Sequence, residues 1–394
     1  MAHRAGALRI LFITELFPDP DTGLGYWGGG ERQFYEVASR AVKAGHRATV
    51  LTCRLPGQST RSDVDGVDVR RTGISRDPKT GGVLKSPLRV AEYIAKTVAA
   101  AADIDCDLVH CNAFYPVFAG RAASELKGVP LVSTFHDVPS LRTWEELTGS
   151  RVWGGLGHLA VLASVMAAGG QVITVSEQAR AKLAALGRGR AHVIPNGVDA
   201  SLLDAAKTRK SPGQVLFVGR LVKYKMVDVL VRALGRVRRE RPEANLVIVG
   251  DGPERGALEA LAGAVAPGGV EFKGTLASNR EVAQLYKESS VFVLPSVAEG
   301  EGIVLKEAMA ASLPVIAARA EGSGVLGLVK DGVNGFLVPP DDHDQLAGAI
   351  LRVLKDGGLR DSMGAAGRRM AEAWTWDETA RRVFEVYQGA APKR

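Results

Sequence analysis

Cysteine is scarce in this chain: Cys53, Cys106 and Cys111 are the only three among 394 residues. The number is odd and no CxxC spacing occurs, which argues against a disulfide framework or a structural zinc site and for a reducing compartment. A signal peptide is not expected either. The first apolar run, Leu8 to Phe17, carries Arg9 and Glu15 and meets Pro18, so it is read as a buried strand. Charge of one sign never accumulates. Lys and Arg number 50 against 43 Asp and Glu, a formal +7, and the cations are interleaved with acids, as in Arg238-Arg239-Glu240-Arg241. A dense basic stripe with aromatics is missing, so no nucleic-acid partner is expected. The excess fits cations near helix ends, an anionic substrate or an anionic membrane surface.

One absence is local. From Val152 to Ser176 there is no Asp, Glu, Lys or Arg. The length suits a bilayer span, but Gly154, Gly155, Gly157, His158, Gly169, Gly170 and Gln171 interrupt it, and Val172 to Val175 reads as a strand. A buried helix followed by a strand is expected. Peripheral membrane contact through Trp153, Leu156 and Leu159 is the other reading.

What is present is a globular composition, 46% apolar and 24% charged, on a chain too long for one ordinary core. Short β-rich runs alternate with helical periodicity. Strands are expected at residues 10–14, 49–53, 108–110, 131–135, 172–175 and 192–194. After the polar stretch 207–214 the alternation restarts, with strands at 215–218, 246–249, 270–273, 291–294, 315–317 and 335–338. Phe34, Val37, Ala38, Ala41 and Val42 share one helical face, and Val227, Leu230, Val231, Leu234 and Val237 share another. This is βαβ arithmetic: an α/β chain of two Rossmann-like domains with mostly parallel sheets and a central cleft. In such sheets ligands bind beyond the carboxyl ends of the strands, so the loops there carry the candidates.

Gly28-Gly29-Gly30 opens a helix after a strand and a long loop. It is a glycine turn or a phosphate site at a helix N-terminus; the spacing is not GxGxxG. Gly219-Arg220-Leu221 follows a strand, with Lys225 five residues beyond Arg220, as a basic loop or a diphosphate clamp. Pro295 to Ala308, Pro-Ser-Val-Ala-Glu-Gly-Glu-Gly-Ile-Val-Leu-Lys-Glu-Ala, joins a strand to a helix opening near Gly302. It puts Glu299 on the loop and Glu307 about one turn into the helix. Glu299 can accept sugar hydroxyls, Glu307 a ribose, and the N–H groups of Gly302, Ile303 and Val304 a phosphate. His136-Asp137 follows another strand; the imidazole is structural or donates to a sugar hydroxyl. Pro195-Asn196-Gly197 and Gly250-Asp251-Gly252 read as turns, the second with a lesser nucleotide-side reading.

The order GGGERQ, STFHD, VIPNGVD, FVGRL with Lys225, IVGDGPE and LPSVAEGEGIVLKEAMA resembles the retaining glycosyltransferases of family 4, which have the GT-B fold. The likeness covers nearly the whole chain. It implies an acceptor-binding domain over 1–205, a nucleotide-sugar donor domain over 206–375, and a last helix within 376–394 crossing back to the first domain. It implies that Gly29 and Gly30 lie against the donor phosphates, that Arg220 and Lys225 neutralise the diphosphate, and that Glu307 binds the ribose. Glu299 is implied to hold the transferred sugar and His136 to touch it from the other domain. No cofactor and no metal are expected, because side-chain cations and helix N-termini replace a metal in such enzymes. The acceptor, a sugar, a lipid-linked sugar or a small metabolite, is expected against 19–27, where Tyr26 and Trp27 form a stacking surface, or against 139–149.

The chain departs from the family pattern at three places. Glu301 stands where an aromatic is usual; it selects the donor sugar or turns to solvent. Met226 replaces a glycine after Lys225, and Gly327 replaces a glutamate. Two other functions are compatible with the architecture: a sugar-nucleotide epimerase, and a non-catalytic nucleotide-sugar-binding protein. The expected location is cytoplasmic, with a peripheral position at the inner membrane face compatible.

Overall fold

A computed structural model describes residues 6–19, 28–75, 87–276 and 278–390. Contacts divide the chain into two units, one of 1–144, 151–196 and 376–394, the other of 145–150 and 197–375.

The first unit holds β1 (Arg9–Ile13), α1 (Gly29–Lys43), β2 (Arg47–Arg54), β3 (Arg61–Val64), β4 (Val67–Ser75), α2 (Pro87–Ala102), β5 (Leu108–Asn112), α3 (Tyr115–Lys127) and β6 (Leu131–Phe135). It continues with α4 (Leu141–Thr148), whose residues from Glu145 on are assigned to the other unit, and with α5 (Arg151–Ala167), β7 (Gln171–Thr174), α6 (Glu177–Ala185) and β8 (His192–Val193). Its sheet runs β3-β4-β2-β1-β5-β6-β7-β8. All neighbours are parallel except β3 with β4. Alternate residues of β1 supply two cores: Ile10 and Phe12 face α1, and Leu11 and Ile13 join the cluster holding Cys53, Cys106 and Cys111. The three cysteines are buried and none forms a disulfide among the described residues.

The second unit holds α7 (Ala200–Ala205), β9 (Gln214–Val218), α8 (Val227–Glu240), β10 (Asn245–Val249), α9 (Arg255–Val265), β11 (Val270–Gly274), α10 (Asn279–Glu288) and β12 (Val291–Leu294). It ends with α11 (Ile303–Ala310), β13 (Val315–Ala318), β14 (Gly335–Val338), α12 (His343–Lys355) and α13 (Gly357–Ala371). Its sheet, β11-β10-β9-β12-β13-β14, is parallel throughout. The expected α8 stripe is buried against it, each such side chain contributing about 1.5–3 kcal/mol. The last helix, α14 (Trp376–Ala390), belongs to the first unit, where Val383, Val386 and Tyr387 join the α1 core.

Several expectations are corrected. The long stretch of the second unit begins at Gly197 rather than 206: the Val198 N–H donates to Trp374 O at 2.9 Å, and Leu203 is buried in that unit's core. The hairpin β3–β4 was not expected. Its signal is Asp65-Gly66, with φ of 53° and 82°, a turn that matches hairpin twist; charges in β3 hide the strand pattern. Helix α5 is not buried. Only Gly154, Val161, Ser164 and Val165 are covered, while Val152, Trp153, Leu156, Leu159 and Met166 are exposed. Among the described residues no helix is long and apolar enough to cross a membrane.

In each sheet the chain reverses direction beside its first strand. That point lies between β1 and β5 in one unit and between β9 and β12 in the other. Loops leaving those strands diverge and open a crevice at their carboxyl ends. The expected site segments leave from these strands or from their neighbours.

Candidate active site

In the second unit, β9 ends at Val218 and β12 at Leu294, and the two following loops are stitched together. Val297 N–H and the Ser296 hydroxyl both donate to Tyr224 O, at 3.0 and 3.3 Å. Lys225 closes a 3-10 turn over Lys223–Lys225. Its ammonium lies 2.5 Å from Glu299 Oε1, and both side chains are about one-eighth exposed. Burial works against the Lys225 charge, but Glu299 and Tyr224 more than offset it and its pKa is raised. Arg220 is exposed and, among the described residues, has no ion pair. The turn is braced from beneath, where Leu221 N–H donates to Asp251 O and Glu254 N–H to Leu221 O, at 2.9 and 3.1 Å. So Gly250-Asp251-Gly252 shapes the Arg220 loop.

Met226, where the family has glycine, sits at φ 51° and opens α8. That is the left-handed region glycine enters without cost. The departure therefore preserves the loop's shape at the expense of local strain.

Helix α11 starts at Gly302, whose φ of 84° turns the chain sharply inward. No side chain caps this end, so Ile303 and Val304 present backbone N–H groups at the positive end of the helix. One turn later Glu307 Oε2 accepts a hydrogen bond from the Tyr286 hydroxyl at 3.0 Å. Tyr286 is buried on α10, and burial followed by the Glu307 charge raises its pKa well above the ordinary range. It stays a neutral donor that aims the carboxylate. Sequence reasoning missed Tyr286, because nothing local announces a tyrosine 21 residues before its partner.

Glu301 does not turn to solvent. It is buried, and its carboxylate pairs with the buried Lys306 ammonium. Lys306, also missed, stands five residues on, roughly one and a half helical turns. Gly327 lies in a 3-10 turn, Gly324–Gly327, that docks on this loop through Gly324 N–H to Glu299 O at 2.8 Å.

In the first unit, Gly29 and Gly30 begin α1, again without a side-chain cap. A Cβ on Gly30 would lie 3.0 Å from His136 Cδ2 and 3.3 Å from Asn112 Nδ2. Only glycine lets the helix approach so closely. His136, after β6, is partly covered, and its Nε2 is buried with no hydrogen-bond partner. Burial lowers its pKa to about 4, so the ring is neutral at pH 7. His110 contrasts with it: both ring nitrogens are engaged, by Tyr387 at 2.6 Å and Thr134 at 2.8 Å. Asn112, beside Gly30 and missed earlier, ends β5 at the reversal point. Asp137 is bound to Lys182 at 2.7 Å. Tyr26 and Trp27 lie outside the described residues.

The two halves match family models in the same order. The description "Glycosyltransferase Family 4" fits residues 27–202, and "Glycosyl transferases group 1" fits 199–370. The chain is 30% identical over 404 residues to the D-inositol 3-phosphate glycosyltransferase of Acidothermus cellulolyticus, covering 94% of this chain and 88% of that one. The chain belongs to the group 1, family 4 glycosyltransferases. The fold of this glycosyltransferase is GT-B. Sucrose-phosphate synthase from Thermosynechococcus elongatus superposes with a TM-score of 0.82 at 24% identity, over 97% of this chain and 98% of that one. Anabaena Alr3699/HepE in complex with UDP-glucose gives 0.73 at 22% identity, over 97% and 100%.

Proposed function

We propose that this glycosyltransferase moves a sugar from a nucleoside diphosphate, UDP- or GDP-linked, to an acceptor hydroxyl with retention of anomeric configuration, in the cytoplasm. The acceptor is a sugar, a lipid-linked sugar or a small metabolite. The observation that carries the reading is the Lys225–Glu299 pair at the sheet's reversal point, on a loop leading to an uncapped helix. Cation, carboxylate and free N–H groups are the three chemistries that diphosphate and sugar hydroxyls need. The UDP-glucose complex of the Anabaena neighbour supports a nucleotide-sugar donor.

Negative charge grows on the departing diphosphate as the glycosidic bond breaks. Arg220, Lys225 and the Ile303 and Val304 N–H groups stabilise that charge, and they do so more in the transition state than before it. These fixed groups supply the role of a metal, so the reaction is proposed to be metal-independent. Glu299, held by Lys225, accepts from the sugar hydroxyls, and Glu307, aimed by Tyr286, accepts from the ribose. His136 stays neutral and offers Nε2 to the sugar, while Gly29 and Gly30 admit the donor phosphates to the α1 N-terminus. In a front-face attack the acceptor proton passes to a donor phosphate oxygen, so no carboxylate nucleophile is needed.

Incubation with a panel of nucleotide sugars, read by mass spectrometry, tests this. One donor is consumed, slowly even without acceptor, and Lys225→Ala or Glu299→Ala abolishes that turnover. Undiminished turnover in both variants, or no donor bound or consumed, overturns the reading.

A further inference from the structure

Helix α5 is apolar on both sides, yet only one side is covered. Val152, Trp153, Leu156, Leu159 and Met166 are 72%, 53%, 51%, 60% and 68% exposed. Val152, Leu156, Leu159, the exposed Ala163 and Met166 recur at the spacing of one helical face, about 21 Å long, with Trp153 next to its first residue in the chain. The covered residues Gly154, Val161, Ser164 and Val165 fix the helix to its own unit. Soluble proteins rarely leave so continuous an apolar strip bare unless something binds it.

Charge around the strip indicates what binds. No Asp or Glu occurs from Leu147 to Ser176. Exposed Arg151 is the first residue of α5, and exposed Arg142 lies on α4, nine residues before it in the chain. At the last turn Arg188 donates to Val165 O and Met166 O, at 3.1 and 2.7 Å. Arg121, which also pairs with Glu125, packs against Gly169 just beyond. An apolar strip with arginines at both ends, and an indole near one end, matches the boundary of an anionic bilayer: acyl chains meet the strip, headgroup phosphates meet the arginines, and the indole sits between them. A second copy is a poorer occupant, because a two-fold packing of α5 on itself brings like charges together. At 17 residues the helix is about 26 Å long, short for a span, and its covered face ties it to the protein.

We propose that the exposed face of α5 docks on an anionic membrane surface, with the helix lying in the plane of the interface and the chain otherwise outside the bilayer. The proposal is independent of the transfer reaction, because vesicle binding is read without turnover.

The test is co-sedimentation of the full chain with vesicles of phosphatidylcholine alone or with about a third phosphatidylglycerol, together with tryptophan emission. The chain pellets with the anionic vesicles, less so at high salt, and its emission shifts to the blue; Trp153→Phe removes that shift. Leu156→Glu with Leu159→Glu weakens partition about tenfold or more, with circular dichroism and urea midpoint unchanged because both sites are exposed. Arg142→Glu with Arg151→Glu weakens anionic binding specifically. Failure to pellet with either vesicle overturns the proposal. So does undiminished binding by the Leu156/Leu159 variant, equal binding to neutral vesicles, or a concentration-dependent dimer that this variant abolishes.

Discussion

Glu301 and Lys306 face each other inside the second unit, with side chains 5% and 1% exposed and the Lys306 ammonium 4.8 Å from the centre of the Trp374 ring. The carboxylate that replaces an aromatic is thus neutralised from behind, by a residue of the helix it precedes. Burial lowers the Lys306 pKa, and Glu301 counters that. Removing one partner leaves the other charged and buried, so Glu301→Leu or Lys306→Met is expected to cost about 3–5 kcal/mol. The double replacement Glu301→Phe with Lys306→Leu is expected to be near neutral or more stable. Urea unfolding of the four proteins checks the cycle. Because the pair points inward, the folded double variant is expected to keep the wild-type donor profile; a changed profile would show that Glu301 reads the sugar.

Lys225 and Glu299 are coupled in a different way, at the edge of the site. Each single alanine variant is expected to lose about 100-fold or more in kcat/KM. The double variant should lose little beyond the worse single one, since each residue positions the other. Simple multiplication of the two losses would mean that they act separately.

Tyr286→Phe keeps the ring in the core and deletes only the hydroxyl that holds Glu307. Its stability is expected to change by no more than about 1.5 kcal/mol. Nucleotide affinity, measured by calorimetry with UDP and GDP, is expected to fall about three- to tenfold. An unchanged affinity removes Glu307 orientation from the account of donor binding.

Gly30→Ala drives a methyl group to 3.0 Å from His136 Cδ2 and 3.3 Å from Asn112 Nδ2. The ring must move by a few tenths of an ångström, and turnover is expected to fall about tenfold or more, with unfolding little affected. Gly45→Ala is no fair control despite open space around it, because its φ of 89° strains any side chain.

Acid is expected to destabilise the first unit through its two depressed histidines. His136 and His110 titrate at about 4 and about 3 when folded, against 6.5 when unfolded. Between those limits the unfolded chain binds more protons, so their contribution is complete above pH 6.5 and is lost progressively as pH falls toward 4 and 3. Urea midpoints from pH 7.5 to 5 should therefore fall, by an amount equivalent to a few kcal/mol at most. His136→Gln should flatten the slope; an unaltered slope assigns it to other groups.

Much of this protein is written along the chain. Apolar strand runs such as Leu131–Phe135, Val291–Leu294 and Gly335–Val338 need only local β propensity and burial on both faces, and they fall where expected. Arg220, Lys225, Glu299 and Glu307 are also legible, because strand–loop–helix spacing alone puts them beyond carboxyl ends. Pairings that cross the fold are not legible. Tyr286 finds Glu307 because α10 packs beside α11's first turn, and Lys306 finds Glu301 only once Gly302 has reversed the backbone. The exposure of α5 has the same origin: an uncharged helix reads as buried until the layers are counted and one face is left bare. Sequence by itself determined the alternating elements and the charged loops that follow the strands, all local consequences of periodicity; the sheet order and its reversal points came with the strand pairing. Tertiary structure alone decided which carboxylates are sheltered, which are held open by a partner, and which apolar surface remains, because those depend on what packs opposite.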